Sequence, residues 1–357
     1  MINHSGIGTN IKSMIPGLVE NYNLSILGNF HLFGSFPWLK ETTIIDMGNP
    51  IYTLKEQIEL PIKIPDCDLF ISPHYNIPLR KIKARKRVVI INDVNHLVYA
   101  NQLPLHKRIY AKYMLNAAIR KSDKVLTLSE FSKNEITKYV NAEGKEIRIL
   151  YCGLDGDAVK HQLNFQSIEQ IGKKYNLPKN YFLYVGSIKP HKNLLLAVKA
   201  FNHWNSKYHG NKKLVLIGVK QNELNESHMF SNLIDMTNTV IPGYIKDHDL
   251  PLIYNNAECL IFPSLYEGFG LPPLEAMICG CPVLTSNSAS LPEVCGDAAL
   301  YFDPFDFQEL AEKMELISKN INLRREMIEK GYANVLRFTR EKFTENLKRE
   351  IDEMLVT

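Results

Sequence analysis

The sequence predicts an α/β protein made of two successive doubly wound domains, and three observations support this prediction. The length of 357 residues favours two domains over one hydrophobic core. Short continuous apolar runs recur in both halves, which is typical of parallel strands covered on both faces. Each run is followed by a turn and then by apolar residues at helical spacing. Two such domains imply a cleft between them, with ligands at the carboxyl ends of the strands.

The first half opens on a predicted glycine turn at Gly6–Gly8, followed by a helix-like run to Val19. Almost no residues precede this turn, so we expect the first central strand to be missing here and to lie upstream in a longer natural chain. Helical spacing predicts a helix over Lys107–Ile119, and Ser129 is expected to cap the next helix. The predicted strands are Leu24–Leu27, Leu69–Ser72, Val88–Ile91, Val125–Leu128 and Ile147–Leu150.

The second half repeats this alternation after a polar linker at about residues 156 to 180. Its predicted strands are Tyr181–Val185, Leu214–Ile217, Cys259–Phe262 and Val283–Thr285. A charged amphipathic helix is predicted over Glu341–Leu355 and is expected to pack back across the domain boundary. The predicted domains are therefore residues 1–157 and 158–338, with residues 339–357 returning to the first.

Composition excludes several classes of protein. The formal net charge is only +4, and the basic residues form one short run without interleaved aromatic residues, so a nucleic-acid binder is not expected. The six cysteines are scattered, and the only close pair, Cys279 and Cys281, lacks partner ligands, so we expect reduced thiols and no metal site. No signal peptide and no apolar run of about 18 residues is present, which predicts a soluble, cytoplasmic protein.

The stretch Pro263–Met277 is the strongest candidate for a binding site. It follows the apolar run at Cys259–Phe262, passes through two glycines and begins a helix at a proline pair. Free amides at a helix start make a ready anion site, and Glu267 and Glu275 lie on either side of it. The pattern predicts a nucleotide sugar bound here, with its diphosphate near the amides.

A second candidate follows the strand Tyr181–Val185. Gly186 is followed by Lys189, His191 and Lys192 ahead of a helix pattern. A fixed cation at a strand end stabilises the negative charge that collects on a departing diphosphate. The alternative is a solvated turn with surface lysines, and this motif alone does not decide between the two.

These motifs occur together and in order in a known family. The chain resembles the retaining glycosyltransferases of family 4, which have the GT-B fold of two Rossmann-like domains facing across a cleft. The specific matches are Val185-Gly186, Pro190-His191-Lys192-Asn193, Gly243-Tyr244-Ile245, Phe262–Met277, Gly280-Cys281-Pro282-Val283, Ser290–Val294 and Gly296–Ala299. Looser first-half matches are Ser5-Gly6-Ile7-Gly8, Ser72-Pro73-His74-Tyr75, Ser129–Ser132 and Gly153-Leu154-Asp155.

The resemblance implies a role for each matched residue. Glu275 would accept hydrogen bonds from the ribose hydroxyls, and Glu267 would face the anomeric carbon of the donor sugar. Lys192 would neutralise the leaving phosphates. Glu267 and Lys192 are thus the predicted catalytic pair. The other predicted donor-binding residues are Gly186, Ser187, His191, Tyr244, Ile245, Gly268, Phe269, Gly270 and Leu271, and Gly6, Gly8, Asn92 and Asp93 are predicted on the acceptor or sugar side.

The chain departs from the family pattern at two places. Relatives often carry arginine where this chain has Ser187 or His191, so we expect phosphate binding to weaken above neutral pH as the histidine loses its charge. Relatives usually have His-Asp where this chain has Asn92 and Asp93, and Asn92 cannot take a proton. Three alternatives stay open: Asn92 positions a sugar hydroxyl, His96 substitutes for the histidine, or activity is reduced.

The sequence predicts hexosyl transfer with retention of configuration, with no cofactor and no metal. GDP-mannose is the favoured donor, and the acceptor is a glycan or a lipid-linked glycan of surface polysaccharide or lipopolysaccharide assembly. The basic run Arg80–Arg87 is either a solvated loop or a docking site for the anionic inner face of the plasma membrane. A covalent intermediate on Glu267 is the lesser mechanism, and a non-catalytic accessory protein of the same fold is the alternative function. A dehydrogenase is set aside, because Ile11 replaces the third glycine of that fingerprint.

Overall fold

The computed structural model describes residues 6–29, 31, 36–142, 144–156, 159, 165–227, 229–230 and 233–356. The chain divides into two compact units, one formed by Met1–Gly153 with Phe338–Thr357 and the other by Leu154–Arg337. The predicted boundary at residues 157 and 158 lies outside the described residues. So does the segment before Gly6, where the first strand was expected to be missing.

The described residues of the first unit form two parallel sheets. Strands β1 (Ser25–Gly28) and β2 (Thr43–Asp46) form the smaller sheet. Strands β3 (Cys67–Ser72), β4 (Ala84–Ile91), β5 (Lys124–Thr127) and β6 (Ile147–Ile149) form the larger one in that order. The helices of this part of the unit are α1 (Gly6–Val19), α2 (Leu54–Lys63), α3 (Asn95–Val98), α4 (Leu105–Lys121) and α5 (Glu130–Tyr139).

The core of the larger sheet follows from its apolar strands. Val89 and Ile91 of β4 are fully buried and pack with Met114, Leu115 and Ala118 on the inner face of α4. Burial of such side chains stabilises the fold by roughly 1.5–3 kcal/mol each. The predicted cap is present, because the Ser129 hydroxyl accepts a hydrogen bond from the Ser132 N–H at 3.0 Å.

In the part of the second unit that the structure describes, six strands form one parallel sheet. Its strands are β7 (Tyr181–Val185), β8 (Lys213–Ile217), β9 (Thr239–Val240), β10 (Cys259–Phe262), β11 (Val283–Ser286) and β12 (Ala299–Phe302). Their order in the sheet is β12-β11-β10-β7-β8-β9. The helices are α6 (Phe165–Lys174), α7 (Leu194–Tyr208), α8 (Gln221–Glu226), α9 (Leu250–Asn256), α10 (Leu271–Ile278), α11 (Leu291–Cys295), α12 (Phe307–Lys319) and α13 (Ile321–Val335).

The last helix, α14 (Arg340–Val356), belongs to the first unit and packs on α1. Gly17 permits this approach, since a Cβ at that position would collide with the Thr344 side chain. The carboxylate of Glu350 is almost completely buried and accepts a hydrogen bond from Lys124 Nζ at 2.6 Å. Arg148 also pairs with Glu350, at 3.3 Å, so two cations compensate the buried charge.

Two sequence expectations are corrected. Gly6–Gly8 form no turn, because α1 already begins at Gly6. Glycine disfavours a helix by roughly 0.5–1 kcal/mol, and the packing of α1 on α14 outweighs that cost. The strands β2, β9 and β12 were not predicted. Strands β2 and β9 contain polar residues, and pairing with a neighbouring strand defines all three.

Candidate functional site

The order of strands in the second unit defines the candidate site. From β7 the chain builds outward through β8 and β9, and it then returns to β10 on the other side of β7. The strand order therefore reverses between β7 and β10, which pair in parallel register. Ligands of open α/β sheets bind at this switch point, outside the carboxyl ends of the strands. The two sequence motifs follow β7 and β10 and meet at this point.

Lys192 and Glu267 form an ion pair at the switch point. Lys192 Nζ lies 2.6 Å from Glu267 Oε1, and the two side chains are 22% and 13% exposed. The ammonium also lies 5.7 Å from the centre of the Phe262 ring at the end of β10. The pair is thus largely shielded, and part of each side chain is exposed. A charged donor and a charged acceptor are held together at the switch point.

The turn that carries Lys192 is fixed from both sides. Asn193 ends it in the left-handed conformation, with φ of 52°, and its side-chain amide donates to the Pro304 carbonyl at 2.8 Å. The Leu265 N–H donates to the His191 carbonyl at 2.7 Å, which ties this turn to the segment after β10. The His191 side chain is partly exposed. The structure therefore couples the two motifs through the backbone as well as through the ion pair.

The segment from Glu267 to Gly270 is held by Ser290. The buried Ser290 hydroxyl lies 3.0 Å from the Glu267 carbonyl and 2.7 Å from the Phe269 carbonyl. Gly270 has φ of 105°, a region closed to most side chains, and a Cβ there would lie 2.8 Å from Leu291. Gly268, Phe269 and Gly270 are buried. Helix α10 begins at Leu271. The next two residues, Pro272 and Pro273, have no N–H, so Leu271 is the one amide donor among its first three residues.

Glu275 lies one turn into α10 and is partly exposed. The buried Tyr254 hydroxyl donates to Glu275 Oε2 at 3.1 Å. Burial raises the pKa of Glu275, and the Tyr254 hydrogen bond lowers this pKa in part. Burial also raises the pKa of Tyr254 well above its ordinary value, so the phenol stays protonated as a donor. One carboxylate oxygen is thereby committed to the protein.

Two glycines shape the end of β7. The Gly186 N–H donates to the Ile217 carbonyl at 2.9 Å, and Ser187 accepts a hydrogen bond from the buried Tyr184 hydroxyl at 2.9 Å. Gly218 has φ of 81°, and a Cβ there would lie 2.8 Å from the Gly186 carbonyl. The backbone at Gly186 and Ser187 is thus partly exposed to solvent, and the side chains at these two positions are absent or small.

The predicted base-reading segment lies after β9. Gly243 has φ of 79°, the Tyr244 side chain is 74% exposed, and Ile245 is buried. Asp249 anchors the segment, since it accepts hydrogen bonds from Lys174 Nζ at 2.7 Å and from the Tyr175 hydroxyl at 2.6 Å. Tyr244 is therefore presented to solvent on a fixed loop.

The predicted acceptor-side residues all lie in the first unit. Gly6 is exposed and Gly8 is buried in the first turns of α1. Asn92 and Asp93 follow β4, where Asp93 Oδ1 accepts the Asn95 N–H at 2.9 Å and the Asn92 carbonyl accepts the Ser132 hydroxyl at 3.1 Å. Asn92 Oδ1 is buried and has no hydrogen-bond partner in the structure. The His96 side chain is exposed and stands edge-on to the Tyr75 ring.

Sequence reasoning did not assign a role to Ser290, Tyr254 or Tyr184. Ser290 lay within a quoted motif, but its partners are main-chain carbonyls that no spacing predicts. The two tyrosines occur in apolar runs that read as core. Among the described residues, no group of three or more His, Cys, Asp or Glu side chains is arranged to hold a metal ion. None of the described helices is both long and apolar enough to cross a membrane.

The two-unit α/β architecture and the switch-point site are those of the GT-B fold. The solved structure of WaaG, a glycosyltransferase involved in lipopolysaccharide biosynthesis, superposes with a TM-score of 0.74 at 18% identity and covers 96% of this chain and 95% of that chain. Residues 167–334 match the family described as glycosyl transferases group 1. The matched stretch contains both halves of the switch-point site.

Two curated relatives are similar over most of this chain. O-antigen chain mannosyltransferase B of Escherichia coli is 28% identical over 281 residues, which span 77% of this chain and 72% of that protein. O-antigen chain mannosyltransferase RfbU of Salmonella typhimurium is 26% identical over 256 residues, which span 72% of this chain and 66% of that protein. These likenesses confirm the resemblance that the motifs indicate.

Proposed function

We propose that the protein transfers a mannosyl group from GDP-mannose to a glycan or lipid-linked acceptor in the assembly of a surface polysaccharide or lipopolysaccharide. The carrying observation is the Lys192–Glu267 pair at the switch point, 2.6 Å apart. The choice of mannose rests on the two O-antigen mannosyltransferases that the chain resembles. Retention of configuration and independence of metal and cofactor are parts of the same proposal.

In this mechanism the donor diphosphate binds between Lys192 and the N–H groups of Gly270 and Leu271 at the start of α10. Without donor, the ammonium is compensated by Glu267. A bound diphosphate adds negative charge beside Lys192, and this charge grows on the leaving oxygen as the glycosidic bond breaks. A fixed cation and aligned amides stabilise that charge without reorganising, so they lower the barrier to transfer.

Glu267 faces the anomeric carbon, where positive charge develops while the leaving group departs. The acceptor hydroxyl attacks from the face that the diphosphate leaves, and its proton passes to a phosphate oxygen. One carbon–oxygen bond forms and one breaks, so configuration is retained and the products are the glycoside and GDP. The carboxylate of Glu267 stabilises the charge electrostatically, and a covalent bond to it is not required.

Glu275 and the loop at Tyr244 hold the nucleoside. Tyr254 occupies one oxygen of Glu275 at 3.1 Å, which leaves the other to accept from the ribose hydroxyls. The Gly186–Ser187 backbone approaches the diphosphate closely because neither residue carries bulk there. The exposed Tyr244 ring and the main chain at Ile245 contact the base.

A hydrolysis and transfer screen against a panel of nucleotide sugars tests this proposal. The purified chain is expected to release GDP from GDP-mannose faster than it releases nucleotide from UDP-glucose or UDP-galactose. Proton NMR of the transferred product reports the anomeric configuration. A chain that binds these donors and releases no nucleotide, with or without glycan, would indicate the non-catalytic accessory protein instead.

We also propose peripheral contact with an anionic membrane, and we place it at α4 together with the basic run Arg80–Arg87. Within that run, Arg85 pairs with Asp68 at 3.1 Å, and the Arg87 guanidinium donates to the carbonyls of Pro78 and Arg80. These two arginines are therefore partly committed to the protein. The remaining cations of the run form a membrane contact only together with a second surface.

Helix α4 supplies that surface. Leu105, Ile109 and Tyr113 are 69%, 60% and 54% exposed and recur every four residues, so they form one apolar stripe. The helix contains no Asp or Glu, and its exposed basic residues are Lys107, Arg108, Lys112, Arg120 and Lys121. Apolar side chains flanked by cations suit the interface of a bilayer that carries anionic headgroups.

A further inference from the structure

A cluster of aromatic and imidazole side chains lies in the first unit, beyond the carboxyl end of β3. His74 and Tyr75 follow the strand, Tyr52 precedes α2, and Tyr110 comes from α4. The Tyr52 ring stands edge-on to His74 at 5.7 Å and to Tyr110 at 6.4 Å between ring centres. None of these residues has a part in the donor chemistry proposed above.

The hydrogen bonds of His74 settle which nitrogen carries its proton. The Asn76 N–H donates to His74 Nδ1 at 3.2 Å, so Nδ1 is an acceptor. The proton of the neutral ring is therefore on Nε2, which lies 3.3 Å from the Tyr52 hydroxyl. Burial lowers the pKa of His74 to about 4, so the ring is neutral at physiological pH. His74 thus donates to the Tyr52 oxygen.

The Tyr52 hydroxyl remains able to donate. His74 Nε2–H donates to its oxygen at 3.3 Å, so this contact consumes no phenolic proton. The Tyr52 O–H can therefore be offered to a ligand.

Buried hydrogen-bond partners hold the backbone of Tyr52 in an energetically unfavourable conformation. Its φ is 66°, in the left-handed region that a bulky residue rarely adopts. Its N–H donates to Glu56 Oε2 at 2.7 Å, and the same oxygen accepts from Asn76 Nδ2 at 2.8 Å. The Tyr110 hydroxyl in turn donates to Asn76 Oδ1 at 2.7 Å. The fold maintains this network while the Tyr52 side chain stays 43% exposed.

Acceptor groups lie close by. The Tyr75 ring lies 5.7 Å from the His96 ring, so the segment after β4 that contains Asn92 and Asp93 lies beside the cluster. Asn92 of this segment has a buried side-chain oxygen with no partner in the structure. The exposed ring, the hydroxyl donor and the carboxylate together match a sugar, which offers an apolar C–H face and a rim of hydroxyl groups.

We propose that Tyr52 is the platform on which a sugar ring of the acceptor stacks, and that His74 is a positioning residue that orients it. The Tyr52 hydroxyl and Asp93 hydrogen-bond the rim hydroxyls of that sugar. This assignment rests on the proposed glycosyl transfer and makes the acceptor's recognised part a saccharide, whatever carries it.

The test compares Tyr52→Ala, Tyr52→Phe and His74→Gln with a control, Ile62→Ala, which removes an exposed apolar side chain of α2 in the same unit. The probes are methyl α-mannoside, methyl N-acetyl-β-glucosaminide and methyl α-galactoside. Saturation-transfer NMR measures their binding, and the transfer assay measures KM. We expect Tyr52→Ala to raise the acceptor KM about 10- to 100-fold, since it removes one buried aromatic contact and a hydrogen bond.

Separate measurements of acceptor KM, donor KM and donor hydrolysis distinguish this proposal from the donor chemistry. Donor KM and hydrolysis without acceptor should stay unchanged in Tyr52→Ala, and Tyr52→Phe should raise the acceptor KM less, about 3- to 10-fold. His74→Gln, which keeps a donor in place of Nε2–H, should lie between wild type and Tyr52→Ala. Circular dichroism of each variant checks the fold.

Two results would overturn the assignment. One is an acceptor KM within twofold of wild type in a folded Tyr52→Ala chain that still hydrolyses donor. The other is a wild-type chain that hydrolyses donor but binds none of the three saccharides at millimolar concentration. Loss of nucleotide release from every donor in the wild type would instead refute the glycosyltransferase mechanism.

Discussion

At the scale of single residues, the structure shows a site whose charges are already compensated. Lys192 and Glu267 neutralise one another at 2.6 Å in partial burial. Removing either partner leaves an unpaired charge, which is costlier than the absence of both. A loss of activity in a variant at either position is therefore assigned to the chemistry only after comparison with a neutral or conservative substitution at the same position.

Lys192→Ala is expected to lower kcat by about 10²- to 10³-fold, because it removes one preorganised donor from the leaving phosphate. Lys192→Arg should recover part of this loss, since the charge is kept and the fork geometry changes. Steady-state kinetics with GDP-mannose measures both. Lys189→Ala is the matched control, as Lys189 is exposed in the same turn. Equal kinetics of the two alanine variants would contradict a phosphate role for Lys192.

Glu275→Gln is expected to raise Tm at neutral pH while it weakens donor binding. Burial raises the pKa of Glu275, so the folded chain holds this proton to higher pH than the unfolded chain does. Ionisation then destabilises the fold fully above the folded pKa and not at all below the unfolded value near 4.3. The stability gain of the variant should vanish at low pH.

The same substitution tests the ribose contact. Loss of a charged acceptor is expected to weaken GDP binding about 10- to 100-fold, as measured by calorimetry. Thermal scans from pH 4 to pH 8 measure the stability effect. A variant that is no more stable at pH 8 than at pH 4, relative to wild type, would rule out the burial cost.

At the scale of elements, the site lies where the carboxyl ends of β7 and β10 come together, and hydrogen bonds to the main chain hold it. The turn after β7 is joined to the segment after β10 by the Leu265–His191 hydrogen bond of 2.7 Å. Ser290, just before α11, holds the glycine segment at two carbonyls. Donor geometry therefore depends on a third element that contributes no charge.

Ser290→Ala is expected to destabilise the second unit by about 1–2 kcal/mol, because the single hydroxyl proton that the Phe269 and Glu267 carbonyls share is lost. The glycine segment should then shift, and donor KM should rise while the Lys192 ion pair persists. Ser288→Ala, two residues earlier and less buried, is the control. Denaturant unfolding and donor kinetics report the two effects. An unchanged donor KM in the folded variant would show that the segment needs no anchor.

Element prediction succeeded where periodicity was strong. The runs at Tyr181–Val185 and Cys259–Phe262 are strands with the predicted bounds. The glycine turn at Gly6 was wrong, because packing of α1 on α14 carries the helix through both glycines. Short strands such as Thr239–Val240 have no periodic signal, since a neighbouring strand supplies their hydrogen bonds.

At the scale of the whole molecule, both units are α/β and each presents a distinct chemistry. The second holds the cation, the carboxylates and the helix start that suit a nucleotide sugar. The first holds the aromatic cluster and the apolar, basic face of α4. This separation of chemistries agrees with the proposed transfer from a soluble donor to a large acceptor.

Reversal of charge on α4 tests the membrane contact. Lys107→Glu with Lys112→Glu is expected to lower partition onto anionic vesicles by at least about 30-fold, since each basic residue near the surface contributes roughly 1 kcal/mol. Liposome sedimentation at rising salt measures the partition. The control is Lys199→Glu with Lys220→Glu, which makes the same charge change at exposed positions of the second unit. Wild-type chain that binds neutral and anionic vesicles equally would contradict the proposal.

The sequence by itself determined the α/β class, most of the strands and the identity of the charged residues at Lys192, Glu267 and Glu275. These follow from local pattern, because hydrophobic period, proline and glycine act within a few residues. Only the tertiary structure decided the partners: Lys192 with Glu267, Tyr254 with Glu275, Ser290 with the glycine segment, and His74 with Tyr52. Those contacts join residues 21 to 75 positions apart, and strand order, which no local signal encodes, brings them together.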